Sequence, residues 1–451
     1  MLTAAGCTSS TSGGSSTEQG SETEPADEAT TTTSPDNEPS IPDQPPGTLP
    51  GGPAGLEALL DLGGRLAITD GSSLALADPS GANIELLDEV ADGLIAQPTW
   101  SPDGVQIAWA RADGDGSLEL FTIESGERAS VPTGATPPIY LQWTSDAATV
   151  GLLRNSGDEI SLSTVDSPGG LTVLDSGAPF YFSWAPDNST LAFNVGNLLQ
   201  VQRRGGTDTL LDTNGEFSAP YWVNNEKLLV VRDEVLGVLT IDSGLVNELA
   251  RTVSPTPFVL HAEAGLVAYL APGSDVRSVG LRRQQIAPED EDLPDEQEAP
   301  DEEPASAGPP VLRVVDVDSG EDVLVTSDAV VAWEWSPDGN RLAFLAPSDF
   351  DENSLRWYFW EQGRLIGATS EHTPSQTEQS AYLPFFAQYA QSHTRWSPTG
   401  AAFSFAGEVE GESGIWVHAI GATPQSVKVA EGDFVTWSPE DVAHGSGISP
   451  L

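Results

Sequence analysis

The sequence predicts an all-β fold, a β-propeller of four-stranded blades, from three observations. First, a Trp-led turn motif returns along the chain: WSPDG at Trp100, WTSDA at Trp143, WAPDN at Trp184, WVNNE at Trp222, WSPDG at Trp335, WSPTG at Trp396 and WSPED at Trp437. A copy without Trp, LHAEAGLVAYLAP, surrounds His261, and the steps between copies are 43, 41, 38, 39, 74, 61 and 41 residues. A period near 40 built from short strands is the signature of propeller blades. Second, each motif is followed by an alternating apolar run. Third, the two ends of the array complement each other: FVTW at Phe434 is an innermost strand with no blade after it, and GGRLAITDGSSLALADPSGANIELL supplies three strands with no inner one. One blade shared by the N- and C-terminal strands therefore closes the ring and removes its open edges. Eight blades are expected, with seven the alternative if the His261 copy is degenerate.

One copy shows why these residues form a blade. In QPTWSPDGVQIAWA, Pro102 presets φ for a turn, Asp103 bonds the local backbone and Gly104 takes positive φ. VQIAWA alternates as a strand, DGDGS turns the chain, LELFTIE is the next strand, SGER turns again and ASVPT is the last. The order is A (ending at the Trp), B, C, D from the axis outward. The motif tryptophans are expected to pack between blades, and Asp103, Asp187 and Asp338 to cap turns.

Over residues 56–440 this repeat resembles that of the TolB-like β-propeller family. The resemblance implies a propeller scaffold; it does not specify what is bound, and the copies at Trp143, Trp222 and His261 depart from its motif.

Ahead of the propeller, MLTAAGC resembles the lipobox of prokaryotic lipoproteins in Ala5, Gly6 and Cys7, with Ala4 where that family usually has Leu and Leu2 two residues earlier. The resemblance implies lipid attachment at Cys7 and an extracytoplasmic, membrane-anchored protein. Six residues cannot supply the basic region and the apolar stretch of roughly 7–15 residues that export requires. Residues 1–7 are therefore read as the remnant of a signal whose start lies upstream. The alternative is a true start at Met1, a free Cys7 thiol and a cytoplasmic protein. Residues 8–55 are rich in Ser, Thr, Pro and Glu and lack aromatics, so they cannot bury enough apolar surface to offset ordering entropy. They read as a disordered acidic linker reaching on the order of 35–40 Å. Cys7 is the single cysteine, which excludes an intrachain disulfide.

The formal net charge is -50, and lysine occurs only at Lys227 and Lys428. With the eight acidic groups of residues 8–50 and the ten of residues 289–303 set aside, the remainder still carries -32. Such a surface repels phosphates, so nucleic acid is excluded as a partner, and membrane contact is expected through the lipid anchor alone. High-salt adaptation and a GC-rich genome both account for this composition.

Along the propeller, A–B and C–D turns share one face, and B–C and D–A connections share the other. The long segments fall on the second face. Residues 271–310, with a disordered acidic insertion at 286–310, lie between strands B and C. APSDFDENS and GEVEGES are further B–C loops, and the loop or helix insertion 368–395 is a D–A connection. Elaboration confined to one face marks where binding is expected. The candidate surface is Phe385, Phe386, Tyr389, His393 and Arg395, with PFFAQYAQSH as a short helix lidding the funnel; the alternative is that these aromatics pack the loop onto its blade.

No GxSxG elbow, P-loop, HExxH or dinucleotide fingerprint occurs, and GSGIS at Gly445 lacks the final Gly. DGDGSLE at Asp113 has oxygen ligands at short spacing but reads better as a hairpin turn than as a Ca²⁺ loop. His261, His372, His393, His418 and His444 are scattered. The expectation is a non-enzymatic, envelope-tethered propeller, without cofactor or metal, that binds a protein, peptide or envelope component. The alternative is a secreted lyase- or lactonase-type enzyme with an acidic, metal-assisted funnel.

Overall fold

The computed structural model describes residues 59, 62–166, 170–178, 180–203, 206–216, 218–254, 257–273, 308–348, 354–421 and 426–439. Cys7, the 8–55 linker and His444 lie outside them, as does the acidic insertion except for residues 308–310. Eight four-stranded antiparallel sheets follow one another as blades of a propeller. Their inner strands are Leu94–Trp100, Pro138–Trp143, Phe180–Trp184, Tyr221–Asn224, Phe258–His261, Ala332–Trp335, Thr373–Pro374 and Phe434–Trp437, here numbered blades 1 to 8. The His261 copy is a full blade, so the count is eight and not seven.

Blade 8 is the shared one. Phe434–Trp437 pairs antiparallel with Leu66–Thr69, Leu66 opposite Trp437 and Thr69 opposite Phe434. Leu59 and Leu62 are buried beside this seam, in a cluster with Leu66, Val435 and Trp437.

Within each blade, burial falls from the axis outward. In blade 1 the second strand, Gln106–Asp113, buries Ile107, Ala108, Trp109 and Ala110, whereas the outer strand, Arg128–Gly134, buries Thr133 alone. The outer sequence RASVPTG has nothing to hide and meets water. The DGDGSLE segment is a hairpin turn, Asp113 pairing with Asp115 about Gly114 at φ 88°.

The motif residues explain the spacing chemically. Ser101 Oγ donates to Asp103 Oδ1 at 2.6 Å and accepts the Gln106 N–H at 2.9 Å. Gly104 takes φ 67°. Ser336, Asp338 and Gly339 repeat this geometry in blade 6. In the divergent copy at Trp143, Thr144 replaces the Ser, and Ala147 takes the Gly position at φ 56°, a conformation costly for a residue with a Cβ. Four of the motif tryptophans bond to the preceding blade. Trp143 Nε1 donates to Thr99 O, Trp222 to Ser183 O, Trp335 to Val259 O and Trp396 to Glu334 O. The tryptophans are thus inter-blade packing, and the period near 40 is the distance along the chain from one such contact to the next.

Two loop expectations need correction. GEVEGES is not an elaborated loop: Ala402–Val409 and Glu412–Ala419 are long strands joined by a tight turn at Glu410 and Gly411, both at positive φ. The 368–395 insertion is not a D–A connection. The outer strand of blade 6 ends at Ala368, and the inner strand of blade 7 begins at Thr373–Pro374, opposite Glu408 and Gly407. Ser375 N–H donates to Ala406 O, the chain then leaves the sheet, and it returns with Arg395 O accepting from Ser404 N–H and Trp396 opposite Phe403. Residues 376–394 are therefore an insertion within an inner strand, a bulge enlarged into a small helical element.

Candidate functional site

That element stands in the propeller axis. It runs through a π-helical turn, Glu378–Tyr382, a 3₁₀ turn, Leu383–Phe385, and one α-helical turn, Phe386–Tyr389. It is held from nearly every side. Gln97 Nε2 in blade 1 donates to Tyr389 OH at 2.8 Å, and Tyr389 OH donates to Ile139 O in blade 2 at 3.1 Å. Gln388 is clamped by Phe182 of blade 3, whose N–H donates to Oε1 and whose carbonyl accepts from Nε2. Tyr221 OH of blade 4 donates to Ala387 O at 2.6 Å. Phe386 meets the Trp333 ring of blade 6 edge-on at 4.6 Å. The Tyr382 ring lies 4.4 Å from Phe434 of blade 8. The insertion is a plug, not a lid. Gln97 is shaped for it: it sits at φ 60° in a register break of its strand, just before Pro98.

The expected surface residues divide accordingly. Tyr389, His393 and Arg395 are 4%, 0% and 3% exposed, Phe386 is half-buried, and Phe385 alone reaches solvent at 46%. His393 is bonded through Nε2 to Thr99 Oγ1 at 2.8 Å and through Nδ1 to Ser392 Oγ at 2.7 Å. Burial, with Arg395 nearby, pushes its pKa down to about 3, so it is neutral. Arg395 donates to Glu378 Oε2 at 2.6 Å and lies over the Trp357 and Tyr382 rings. Burial raises the Glu378 pKa against the opposing pull of Arg395.

The plug divides the axis into two mouths. On the face of B–C and D–A connections it walls a cavity of about 460 Å³, whose lining includes Leu94, Ile95, Pro138, Ile139, Tyr181 and Phe385. Leu94 and Phe385 at its rim are 44% and 46% exposed. The walls are apolar, with a few polar tips, so the cavity suits an aliphatic or aromatic group. On the opposite face a second cavity, about 300 Å³, lies between the Ser-Pro-Asp-Gly turns and Ala390–Thr394.

Apart from Arg395, one class of axial residue escaped the sequence reading although a signal existed. The residue just before each motif Trp alternates away from it and so faces the axis: Thr99, Gln142, Ser183, Tyr221, Glu334, Arg395 and Thr436, with Leu260 before His261. Most are polar and nearly all contact the plug or line its lower cavity. Polar residues repeated at a position flanked by core tryptophans mark a channel wall. Glu334 is the charged one opposite the plug. Its Oε1 accepts from Thr394 Oγ1 at 2.9 Å and Arg395 N–H at 3.0 Å, and burial pushes its pKa up to about 7 against the pull of Arg395.

The histidines do not converge. His261 accepts Ala264 N–H at Nδ1 on an A–B turn, His372 packs on Phe405, and His418 stacks on Phe359. Among the described residues no group of three or more His, Cys, Asp or Glu is placed to hold a metal ion. Nor, among them, is any helix long and apolar enough to cross a membrane.

Against known proteins, no family model and no curated protein matches the chain. Solved structures do. The likeness to the dihydro-heme d1 dehydrogenase NirN has a TM-score of 0.52 at 12% identity, covering 84% of this chain and 76% of that one. A eukaryotic initiation factor structure gives 0.50 at 12% identity, over 84% of this chain and all of the other. These likenesses show the fold. TolB structures are also among the neighbours: TolB from Acinetobacter baumannii is 14% identical with a TM-score of 0.37, and the match covers 67% of this chain but only 62% of the TolB chain.

Proposed function

We propose that this protein is a non-enzymatic binding propeller, tethered to the cell envelope through Cys7, that engages an envelope protein or peptide on its B–C and D–A face. The observation that carries the reading is the apolar cavity beside the plug, open to solvent at Leu94 and Phe385 over a plug hydrogen-bonded to four blades. A preformed apolar pocket with an aromatic at its rim takes the side chain of a partner and costs little ordering on binding. The acidic linker would hold the domain away from the membrane with this face free to turn.

A benzophenone amino acid placed at position 385, or at Pro102 on the opposite face, tests this in cells carrying the gene with its upstream DNA. An envelope protein cross-linked from 385 and not from 102, and lost with Leu94→Asp, is the expected result. Equal labelling from both faces would sink the binding site. Mass spectrometry of Cys7 tests the tether separately: a lipidated N-terminus that vanishes in Cys7→Ser supports it, and an unmodified chain removes it.

A further inference from the structure

The second mouth of the axis has a different chemistry. We infer that the cavity on the A–B turn face is a binding site for a primary alkylammonium group, with Glu334 as its counter-ion and Gln142 on the facing wall. The inference is independent of the function proposed for the apolar mouth.

Four observations converge. Charge comes first. The axis holds two buried carboxylates, Glu334 and Glu378, and one buried cation, Arg395, which is bonded to Glu378 at 2.6 Å. Glu334 has no ion-pair partner among the described residues, and its Oε2 receives no hydrogen bond from them. An ionised carboxylate in such a place is short of one positive charge. Second, Gln142, 7% exposed, lines the same cavity, and its Oε1 is closed off from solvent without a partner. It sits in blade 2 of eight, across the axis from Glu334 in blade 6, and its amide must turn toward the space to meet a ligand. Third, Trp100, Trp143, Leu260 and Trp335 line part of the space, among hydroxyl and amide side chains, and offer an apolar surface to an alkyl stem behind a charged tip. Fourth, the approach is acidic. Asp103, Asp146, Asp187, Glu226, Glu263 and Asp338 stand one on each of the A–B turns of blades 1 to 6, outnumbering the cations that close two of those turns, Lys227 and the Glu361-paired Arg341. A predominantly acidic ring around a concave mouth focuses the field and concentrates cations there.

A lysine side chain and a free diamine share this chemistry. The test therefore titrates N-acetyl-lysine amide, cadaverine and N-acetyl-norleucine amide into the intact protein by calorimetry, at mildly alkaline pH where Glu334 is ionised. Salt is held at about 0.5 M, where screening shortens surface electrostatics to a few ångströms. The expected result is saturable one-site binding of the ammonium compounds and none of the norleucine amide. Tighter binding of the lysine compound points to a peptide segment as the natural ligand, and tighter binding of cadaverine to a small diamine. Glu334→Gln should weaken binding at least about tenfold, Gln142→Leu a few-fold, and Leu365→Ala on the outer strand of blade 6 not at all. Should Glu334→Gln fail to fold, Leu260→Lys replaces it: a lysine tethered inside the cavity should raise Tm and abolish binding. Absence of binding by both ammonium compounds, or binding that Glu334→Gln and Leu260→Lys leave intact, would overturn the site and reduce the effect to attraction by the acidic surface.

Discussion

Blades 6 and 7 carry nearly the same motif, WSPDG at Trp335 and WSPTG at Trp396, yet their inner strands differ completely. Blade 6 runs straight through Ala332–Trp335. Blade 7 pairs at Thr373–Pro374, leaves for the axis, and resumes at Trp396. Both return the Trp indole to the preceding blade, Trp335 to Val259 O and Trp396 to Glu334 O. The motif therefore fixes the end of an inner strand and its inter-blade contact, but not the strand's continuity. A propeller tolerates a long insertion there because the axis is the one place where an inner strand faces space and not a neighbouring sheet.

The sharpest way to break this comparison is to make blade 7 like blade 6. Replacing residues 376–394 with a direct continuation of the strand would strip partners from Gln97, Thr99, Tyr140, Phe182 and Tyr221 and empty the aromatic axial cluster. The expected loss is on the order of the whole stability of a domain, read as a collapse of the cooperative thermal transition. A well-folded variant with unchanged Tm would show the plug to be an ornament.

Next in size is the Arg395–Glu378 pair. Arg395→Met leaves Glu378 buried without its cation and should cost about 3–5 kcal/mol in denaturant unfolding. The double variant with Glu378→Met should regain most of that. A double variant no better than Arg395→Met alone would mean that packing over Trp357 and Tyr382, and not charge, holds Arg395.

The turns sharpen the comparison at smaller scale. Ser336 donates to Asp338 as well as accepting from Arg341 N–H, whereas Ser397 accepts from Ala402 N–H and meets Thr399 in place of an Asp. Ser336→Ala should cost about 1–2 kcal/mol and Ser397→Ala less. Equal costs would assign the stabilisation to the backbone turn alone.

The smallest expected effect is in pH. His372, His393 and His418 are held by burial at pKa values of about 4, 3 and 4, below those of the unfolded chain. Each contributes stability that is complete above the unfolded value of about 6.5 and lost as pH falls toward its folded value. Glu334 and Glu378 are shifted upward, so their contribution has the opposite sign: present at low pH and lost as pH rises toward about 7 for Glu334. The histidines act together to lower Tm on acidification below about pH 6.5, with Glu334 and Glu378 opposing them. His393→Gln, which does not titrate, should flatten that slope; an unchanged slope would exclude His393 as a contributor.

Much of this architecture is legible in the sequence because it is repeated. A serine-capped turn and an inter-blade indole need the same residues at the same offsets each time, so the blades, their strand order and the shared closing blade follow from Trp100 through Trp437. The plug happens once. The 61-residue step from Trp335 to Trp396 announces extra chain, but nothing local says whether it lies outside the ring or within it. Its aromatics, Phe386, Tyr382 and Tyr389, read equally well as a surface or as core. What decides is the set of axial partners, Gln97, Tyr140, Phe182 and Tyr221, scattered over blades 1 to 4. The position before each motif Trp carried that information in pattern form, and Arg395 and Glu334 both occupy it.

The shared blade also sets a timetable. The hydrogen bond from Arg65 N–H to Ser438 Oγ joins residues 373 apart in sequence. Leu66–Thr69 emerges from the ribosome or the export channel early and waits, with one edge unpaired, until Phe434–Trp437 arrives. Throughout that interval the open edge can recruit the same strand from another copy, which makes exchange of Phe434–Trp437 between two chains the natural assembly error of this molecule. The plug precedes the closing strand in the order of synthesis, so it can be laid into the axis while the ring still gapes. A chain that shut first would have to reopen to admit it.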